Sequence, residues 1–358
     1  MSAGVVQVDP LADPRWDAYV RAHPRWTVYQ LGAWAEILRR AYRFEPRYLA
    51  LEEDGGALRG VLPLLHKKGL VSDARVRSLP VFPAGGPLGN TRGDEVALIE
   101  AARDAAAASG AAALAVISPE DYAADLPQFV ADSLPPRWVV QIGGDPDSLR
   151  SGWRKTSNNL FRSLKKADKA GFVFSEATDP RALKRLYGLY LHTMRKHRTL
   201  PRALRQLELT RELLGPEQFR LFVVEHEGRL AAGGVFHLFR DTVELIYNGS
   251  DDGLLDLRPN HALYWGVIRW CAEHGYTAFD FGEASPTTSL GRFKSQWAEP
   301  VPNFRFTWRA GDEPSRAESL AAASYEVEQG REGLVAKLWQ RTPVQLTRLG
   351  AAVAYRYL

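Results

Sequence analysis

The sequence predicts an α/β protein built from two related units and closed by a helical tail. Three observations carry this reading. The chain has 358 residues, more than one ordinary core accommodates, so two domains are expected. Stretches with helical apolar spacing alternate with short strand-like runs, and the order helix, strands, loop, helix, strand occurs once in each half. Neighbouring strand runs are joined by tight turns, which makes the sheets mixed and largely antiparallel, with helices flanking them. The expected boundaries are 1–145, 146–310 and, for the tail, 311–358.

In the first unit, PRWTVYQLGAWAEILRRAY (24–42) sets Leu31, Trp34, Ile37 and Leu38 at helical spacing. Gln30 and Trp34, near the start of that helix, are candidates for substrate binding. RYLALEEDGGALRGVLPLLHKKG alternates as a hairpin turned at Asp54-Gly55-Gly56. RSLPVFPAGGPLG is too rich in Pro and Gly for regular structure and reads as an ordered or ligand-facing loop. An Ala-rich helix (95–109) stops at Gly110, a buried strand AAALAVIS follows, and a strand at 138–142 closes the unit.

The second unit opens with a basic helix, SLRSGWRKTSNNLFRSLKKADKAG, ended by Gly171. A strand (FVFSEA) and a helix with an apolar stripe through Leu183, Leu186, Leu189 and Tyr190 come next. Three strands are expected at 219–225, 230–240 and 242–250. The helix over 257–275 is opened by Pro259 and Asn260, ended by Gly275, and feeds the strand that finishes in FDFG. Phe304–Arg309 is the last strand, and beyond it lie Ala/Glu-rich helix and the basic amphipathic stretch GLVAKLWQRTPVQLTRLGAAVAYRYL. Such a tail packs on the body or lies at a membrane surface.

Composition narrows the class. Apolar residues make up 45% and charged residues 25%, a soluble globular profile. No run approaches the roughly 18 apolar residues that span a bilayer, and the N-terminus shows no basic start followed by an apolar core, so a cytoplasmic protein is expected. The single cysteine, Cys271, reads as a small core residue. Net charge is only +4, yet 150–211 holds 16 Lys+Arg against 4 Asp+Glu. A field of that size favours an anionic partner, phosphate-bearing or RNA, although part of it is a solvated helix face.

The chemistry concentrates in FDFGEASPTTSLGRFKSQW (279–297). Asp280 and Glu283 sit where a buried strand opens into a loop, the place where ligands collect in α/β folds. Lys294 follows between Phe293 and Trp297, with Arg292 beside it. An ammonium among aromatic rings stabilises developing negative charge better than one in water. The plainer alternative is a lysine that pairs with Glu299 or a backbone carbonyl. Asp280 is a candidate general base, or a strand-end carboxylate bonded to backbone N–H groups. Tyr247, Asn248 and Asn260, at a strand end and a helix start, orient a substrate or cap structure. No metal spacing, Ser-His-Asp arrangement or phosphate loop is legible.

The strand and helix order of the second half is that of a GNAT-type acyltransferase, in which a helix N-terminus receives the donor's pyrophosphate. The glycine-rich loop of acetyl-CoA users (Gln/Arg-x-x-Gly-x-Gly/Ala) is missing from DGLLDLRPNHALYW. The string FDFG…FKxxW, preceded by N-x-x-L-Y-W and a helix ending in Gly, resembles the Fem-type aminoacyltransferases. Within them it is most similar to the FemAB-like proteins of bacterial exopolysaccharide and PEP-CTERM sorting systems. VYQLGAWAEIL, GVLPLLHKKGLVSDARVRSLPVFPAGGPLG, WRKTSNNLFRSLKKADKAG, YLHTMRKHRTLP, NHALYWGVIRWCAEHGYTAFDFGEAS, RFKSQW and LWQRTPVQLTRLG share in it.

That resemblance implies two tandem GNAT-like domains and no permanently bound cofactor. It implies transfer of an amino acid from aminoacyl-tRNA to an amine of a peptidoglycan precursor, a UDP- or lipid-linked anion at the inner face of the membrane. The family's functional lysine maps onto Lys294. Its basic helix facing the precursor's phosphates maps onto Arg154, Lys155, Asn158, Asn159 and Arg162, departing at Ser157, where the family carries a basic residue. Arg195 falls where the family lines the acceptor groove, and Glu283, Arg292 and Trp297 complete the expected binding set. The long helical arm of some Fem enzymes is absent, which leaves the donor open. Two other functions compete: an acyl-CoA- or carrier-dependent N-acyltransferase of polysaccharide or lipid assembly, and a catalytically silent scaffold.

Overall fold

The computed structural model describes residues 3–67, 74–78, 85–143, 145–179, 181–197 and 200–311. The tail expected over 311–358, apart from Gly311, and part of the Pro/Gly loop at 77–89 lie outside the described residues. The chain divides into two compact units. One comprises Met1–Leu134, Arg205–Leu213 and the segment from Pro302 onward; the other comprises Pro135–Leu204 and Leu214–Val301.

The first unit holds two sheets. Ala3–Val8, Tyr48–Glu53, Leu58–Leu62 and Leu88–Gly89 form an antiparallel four-stranded sheet in that order. Glu45–Pro46, Leu65–Lys67, Arg75–Arg77, Ala113–Ser118, Phe304–Arg309 and Val130–Ser133 form a mixed six-stranded one. The hairpin expected around Asp54-Gly55-Gly56 is present, its turn allowed by left-handed backbone at both glycines (φ 109° and 84°). Helix Arg92–Ala108 starts in a capping box between Thr91 and Asp94 and stops before Gly110 (φ 70°). Its inner face, Leu98, Ile99, Ala102 and Ala106, packs in a core with Leu51, Leu62, Leu114 and Phe306. Helix Pro14–Ala22, capped by Asp13, has only two buried residues, Trp16 and Val20, and so gives periodicity little to register.

The second unit is one seven-stranded sheet. Its order is Val173–Glu176, Phe219–His226, Arg229–Phe239, Thr242–Ser250, Ala278–Glu283, Arg137–Gln141, Glu299–Val301. All neighbours are antiparallel except Thr242–Ser250 with Ala278–Glu283, which run parallel because helix Pro259–Glu273 crosses over between them. That helix buries Leu263, Tyr264, Trp265, Val267, Ile268 and Cys271 against the sheet. Cys271 is fully buried, and loss of water pushes its thiol pKa up, so it behaves as a core residue.

Two local differences from the sequence reading have physical causes. The basic stretch is two helices, Pro146–Thr156 and Asn158–Lys169, broken at Ser157 (φ −145°, ψ 71°). The break lets Trp153 and the Leu160/Leu164 pair both reach the core. Second, strand Arg137–Gln141 belongs to the second unit's sheet, while Phe304–Arg309 pairs in the first unit's. Such exchange depends on long-range pairing, to which local apolar patterning is blind.

Candidate active site

The site grows from the end of the parallel strand pair. Thr242–Ser250 and Ala278–Glu283 are in register for three residue pairs only, ending at Glu244↔Asp280. On its other edge Thr242–Ser250 shifts register against Arg229–Phe239, leaving Ile246 unpaired. Gly282 then takes φ 74°, which turns the Ala278 strand into the loop.

Thr288 caps a short helix, Ser289–Lys294, by accepting from the Gly291 N–H at 3.0 Å. This helix presses so closely on the loop that a Cβ at Gly291 would lie 2.0 Å from the Ser285 carbonyl oxygen. The close approach swings Lys294 back toward the strand end. Its Nζ donates to the Glu283 carbonyl at 2.9 Å, and the residue is only 7% exposed. Of the alternatives for this lysine, the backbone carbonyl is its bonded partner. Burial is the main cause that pushes its pKa down, to about 8, against the opposing pull of Asp280, Glu283 and Glu244.

Aromatic rings pack together beside this segment. Trp297 (3% exposed) packs on Trp153 at 5.3 Å, Phe281 at 5.6 Å, Tyr264 at 6.0 Å and Phe293 at 6.2 Å. Tyr264 is buried and accepts from the Asn248 amide at 2.9 Å. Asp280 is fully buried; it accepts from the Gly282 N–H at 2.7 Å and is ion-paired with Arg137. Arg137 therefore holds the carboxylate from the neighbouring antiparallel strand, a role the sequence reading missed.

The remaining candidates scatter. Glu283 contributes its carbonyl to Lys294, and exposed Arg292 donates to the Thr287 carbonyl at 2.6 Å. Asn260 donates to Ser250 Oγ at 3.3 Å, while its own Oδ1 is buried and has no donor. Tyr247 meets Tyr190 edge-on at 5.4 Å, and Arg195 lies half-buried at the end of helix Ala182–Lys196. Arg154, Lys155, Asn159 and Arg162 are exposed on the two basic helices. In the first unit, Gln30 Oε1 accepts from Thr27 N and Oγ1, its amide donates to the Gly86 carbonyl, and Trp34 Nε1 donates to the Val28 carbonyl at 2.9 Å. A separate cavity of about 460 Å³, lined by Arg150, Phe172, Phe174, Trp265 and Trp270 among others, contains none of these candidates.

Among the described residues no group of three or more His, Cys, Asp or Glu is placed to hold a metal ion. No helix among them is long and apolar enough to cross a membrane.

Comparison with known proteins agrees with this geometry. Residues 154–295 match the family model of the acetyltransferase (GNAT) domain. The chain is 23% identical over 326 residues to the UDP-N-acetylmuramoylpentapeptide-lysine N(6)-alanyltransferase of Weissella viridescens, covering 82% of this chain and 91% of that one. The crystal structure of FemX superposes with a TM-score of 0.65 at 17% identity, over 84% of this chain and 96% of that chain. A tandem GNAT protein from the clavulanic acid biosynthesis pathway gives 0.53 at 15% identity, over 87% of this chain and all of that chain. The parallel strand pair that parts after three residues, the crossover helix and the matched order of both halves give this chain the tandem GNAT fold, with a GNAT acyltransferase domain matched over 154–295 and a sequence similar to a Fem-type alanyltransferase.

Proposed function

We propose that the protein transfers an aminoacyl group from aminoacyl-tRNA to an amine of a UDP- or lipid-linked peptidoglycan or envelope precursor. The observation that carries this is the buried Lys294 ammonium at the parting of the parallel strands. The relative from Weissella viridescens, named for alanyl transfer to a lysine N6, supports the amine as acceptor.

In this reading the acceptor amine attacks the ester carbonyl carbon, forming the N–C bond and an oxyanion. Lys294 stabilises that oxyanion, and its buried setting strengthens the interaction. Collapse breaks the C–O bond to the ribose, and the proton released by the amine ends on the ribose oxygen. Asp280, already paired with Arg137 and the Gly282 N–H, acts as a fixed countercharge that keeps the ammonium in place. The exposed Arg154, Lys155, Asn159 and Arg162 give anionic groups of the precursor or tRNA a surface to rest on.

A CoA thioester is the second donor considered, and one observation weighs against it. The crossover helix begins with Arg258 in left-handed backbone (φ 71°) and Pro259, where pyrophosphate binding needs free, unobstructed N–H groups. The test is a donor screen of labelled aminoacyl-tRNAs and acyl-CoAs with UDP-linked muramoyl-pentapeptide as acceptor. Transfer from aminoacyl-tRNA that disappears with RNase and falls about 100-fold or more in Lys294→Met is expected. Transfer from a thioester alone, or transfer indifferent to both treatments, overturns the reading.

A further inference from the structure

Helix Pro259–Glu273 carries a second buried ionisable side chain that the scheme above leaves idle. His261, in the first turn, is 9% exposed. Its ring meets Phe293 edge-on at 5.3 Å and Trp297 at 5.7 Å, the two aromatics that flank Lys294 in the chain. Among the described residues neither ring nitrogen of His261 has a hydrogen-bond partner, and neither is sealed from solvent, so the edge of this mostly buried ring is open. Trp297 Nε1 is buried without an acceptor, so that indole does not occupy the imidazole. A neutral imidazole with an open edge has a nitrogen lone pair available to a ligand's donor. Tyr264, one turn further along the helix, packs on Phe281, Phe293 and Trp297, which ties this turn to the same aromatic cluster.

Its protonation state favours one use. Burial, with help from Arg258, lowers its pKa to about 4, so at neutral pH it is an uncharged ring with one nitrogen lone pair to offer. So weak a base is poorly matched to carrying a proton at pH 7. It is well suited to accepting a hydrogen bond. Lys294 supplies the positive donor for the carbonyl oxygen; what the attacking amine needs is an acceptor that grips one N–H and aims its lone pair.

We propose that His261 is the residue that holds the attacking amine, its neutral imidazole accepting an N–H hydrogen bond from the acceptor beside Phe293 and Trp297. This rests on the aminoacyl-transfer reading. No bond to His261 is made or broken; the ring orients the nucleophile while the transfer proceeds as above.

The test uses the full chain and two readouts. In the first, alanyl-tRNA and UDP-linked muramoyl-pentapeptide are supplied to His261→Phe, which keeps an aromatic ring against Phe293 and Trp297, and to His261→Asn, which keeps an acceptor. His261→Phe is expected to lower kcat for amine transfer about 30-fold with a smaller change in KM. The slow hydrolysis of alanyl-tRNA by water should stay within about twofold, because carbonyl activation by Lys294 is intact. His261→Asn should recover part of the transfer. Equal loss of transfer and hydrolysis, or unchanged transfer in His261→Phe, overturns the proposal.

The second readout is the ¹⁵N shift of the His261 ring, titrated with a lysine-containing pentapeptide and with its Nε-acetylated form. A response to the free amine that the acetylated peptide does not produce is expected, and no response overturns the assignment. Failure of the wild-type protein to transfer from any aminoacyl-tRNA sinks the parent reading, whereas the ring's response to an amine decides this one.

Discussion

Replacing Lys294 with methionine separates stability from function and can be worked through in numbers. The side chain is 7% exposed, and its pKa is lowered from 10.5 to about 8. That difference corresponds to about 3 kcal/mol by which the folded state disfavours the ammonium relative to water. The sign follows from proton counting. Below pH 8 both folded and unfolded chains hold the proton, and the penalty is fully present. Between about 8 and 10.5 the unfolded chain binds more protons than the folded one, so stability rises with pH and the penalty fades. Methionine has a similar length and no charge to desolvate, but it forfeits the bond to the Glu283 carbonyl, a loss of about 1 kcal/mol. Lys294→Met should therefore be more stable than the parent by about 2 kcal/mol at pH 7, with the advantage close to zero by pH 9.5. Urea unfolding followed by tryptophan fluorescence at both pH values measures it. A variant less stable than the parent at pH 7, by an amount unchanged at pH 9.5, refutes the reasoning, because the nitrogen would then not be in a dry place.

Three further outcomes follow from the same geometry. If the ammonium form of Lys294 does the work, transfer by the wild-type protein should fall as pH rises through about 8, and Lys294→Arg, charged at every accessible pH, should lose that basic limb in a pH–rate profile. Arg137→Met leaves Asp280 buried and unpaired, which should cost about 3–5 kcal/mol in urea unfolding; adding Asp280→Asn should recover much of it, and additive losses would show that the pair is not coupled. Gly291→Ala drives a Cβ to 2.0 Å from the Ser285 oxygen, so about 3 kcal/mol of destabilisation together with loss of transfer is expected, and a silent substitution would mean the short helix does not fix Lys294.

Much of the site was legible because its parts are close in sequence. The run from Asp280 to Trp297 contains the strand end, the turn, the cap and the lysine, so patterning alone placed Lys294 among Phe293, Trp297 and the acids. The three strands from Phe219 to Ser250 and the Pro259 helix were equally readable, each being an apolar run between clear turn or stop signals. Arg137 was not, since its partner Asp280 lies 143 residues away and only the sheet order brings the two together. His261 was passed over for Asn260, because a helix-start asparagine is a familiar cap while a histidine on an apolar face looks like core. The missing signal was the ring's lack of a partner, which no sequence displays. Gln30 and Trp34 stood out as polar and aromatic residues near a helix start, yet a 3₁₀ turn at Val28–Gln30 engages one as a capping box and a buried carbonyl engages the other.

The charge pattern around Lys294 explains how a lysine persists where burial opposes it. A lone ammonium there would be harder still to keep charged, because desolvation opposes the protonated form. Asp280, Glu283 and Glu244 pull the other way. Asp280, the fully buried one, would be as costly as the lysine without Arg137 and the Gly282 N–H to hold it. Arg137 thus acts at one remove: it anchors the carboxylate, the carboxylate favours the ammonium, and the ammonium stands where the strands part. A site assembled this way keeps its charge before any substrate arrives, so little reorganisation is left for the moment an oxyanion forms. It also fixes where variation is tolerated. Lys294→Arg keeps the charge but not the compact head, and Asp280→Glu lengthens a fully buried side chain, so each should perturb the site although formal charge is conserved.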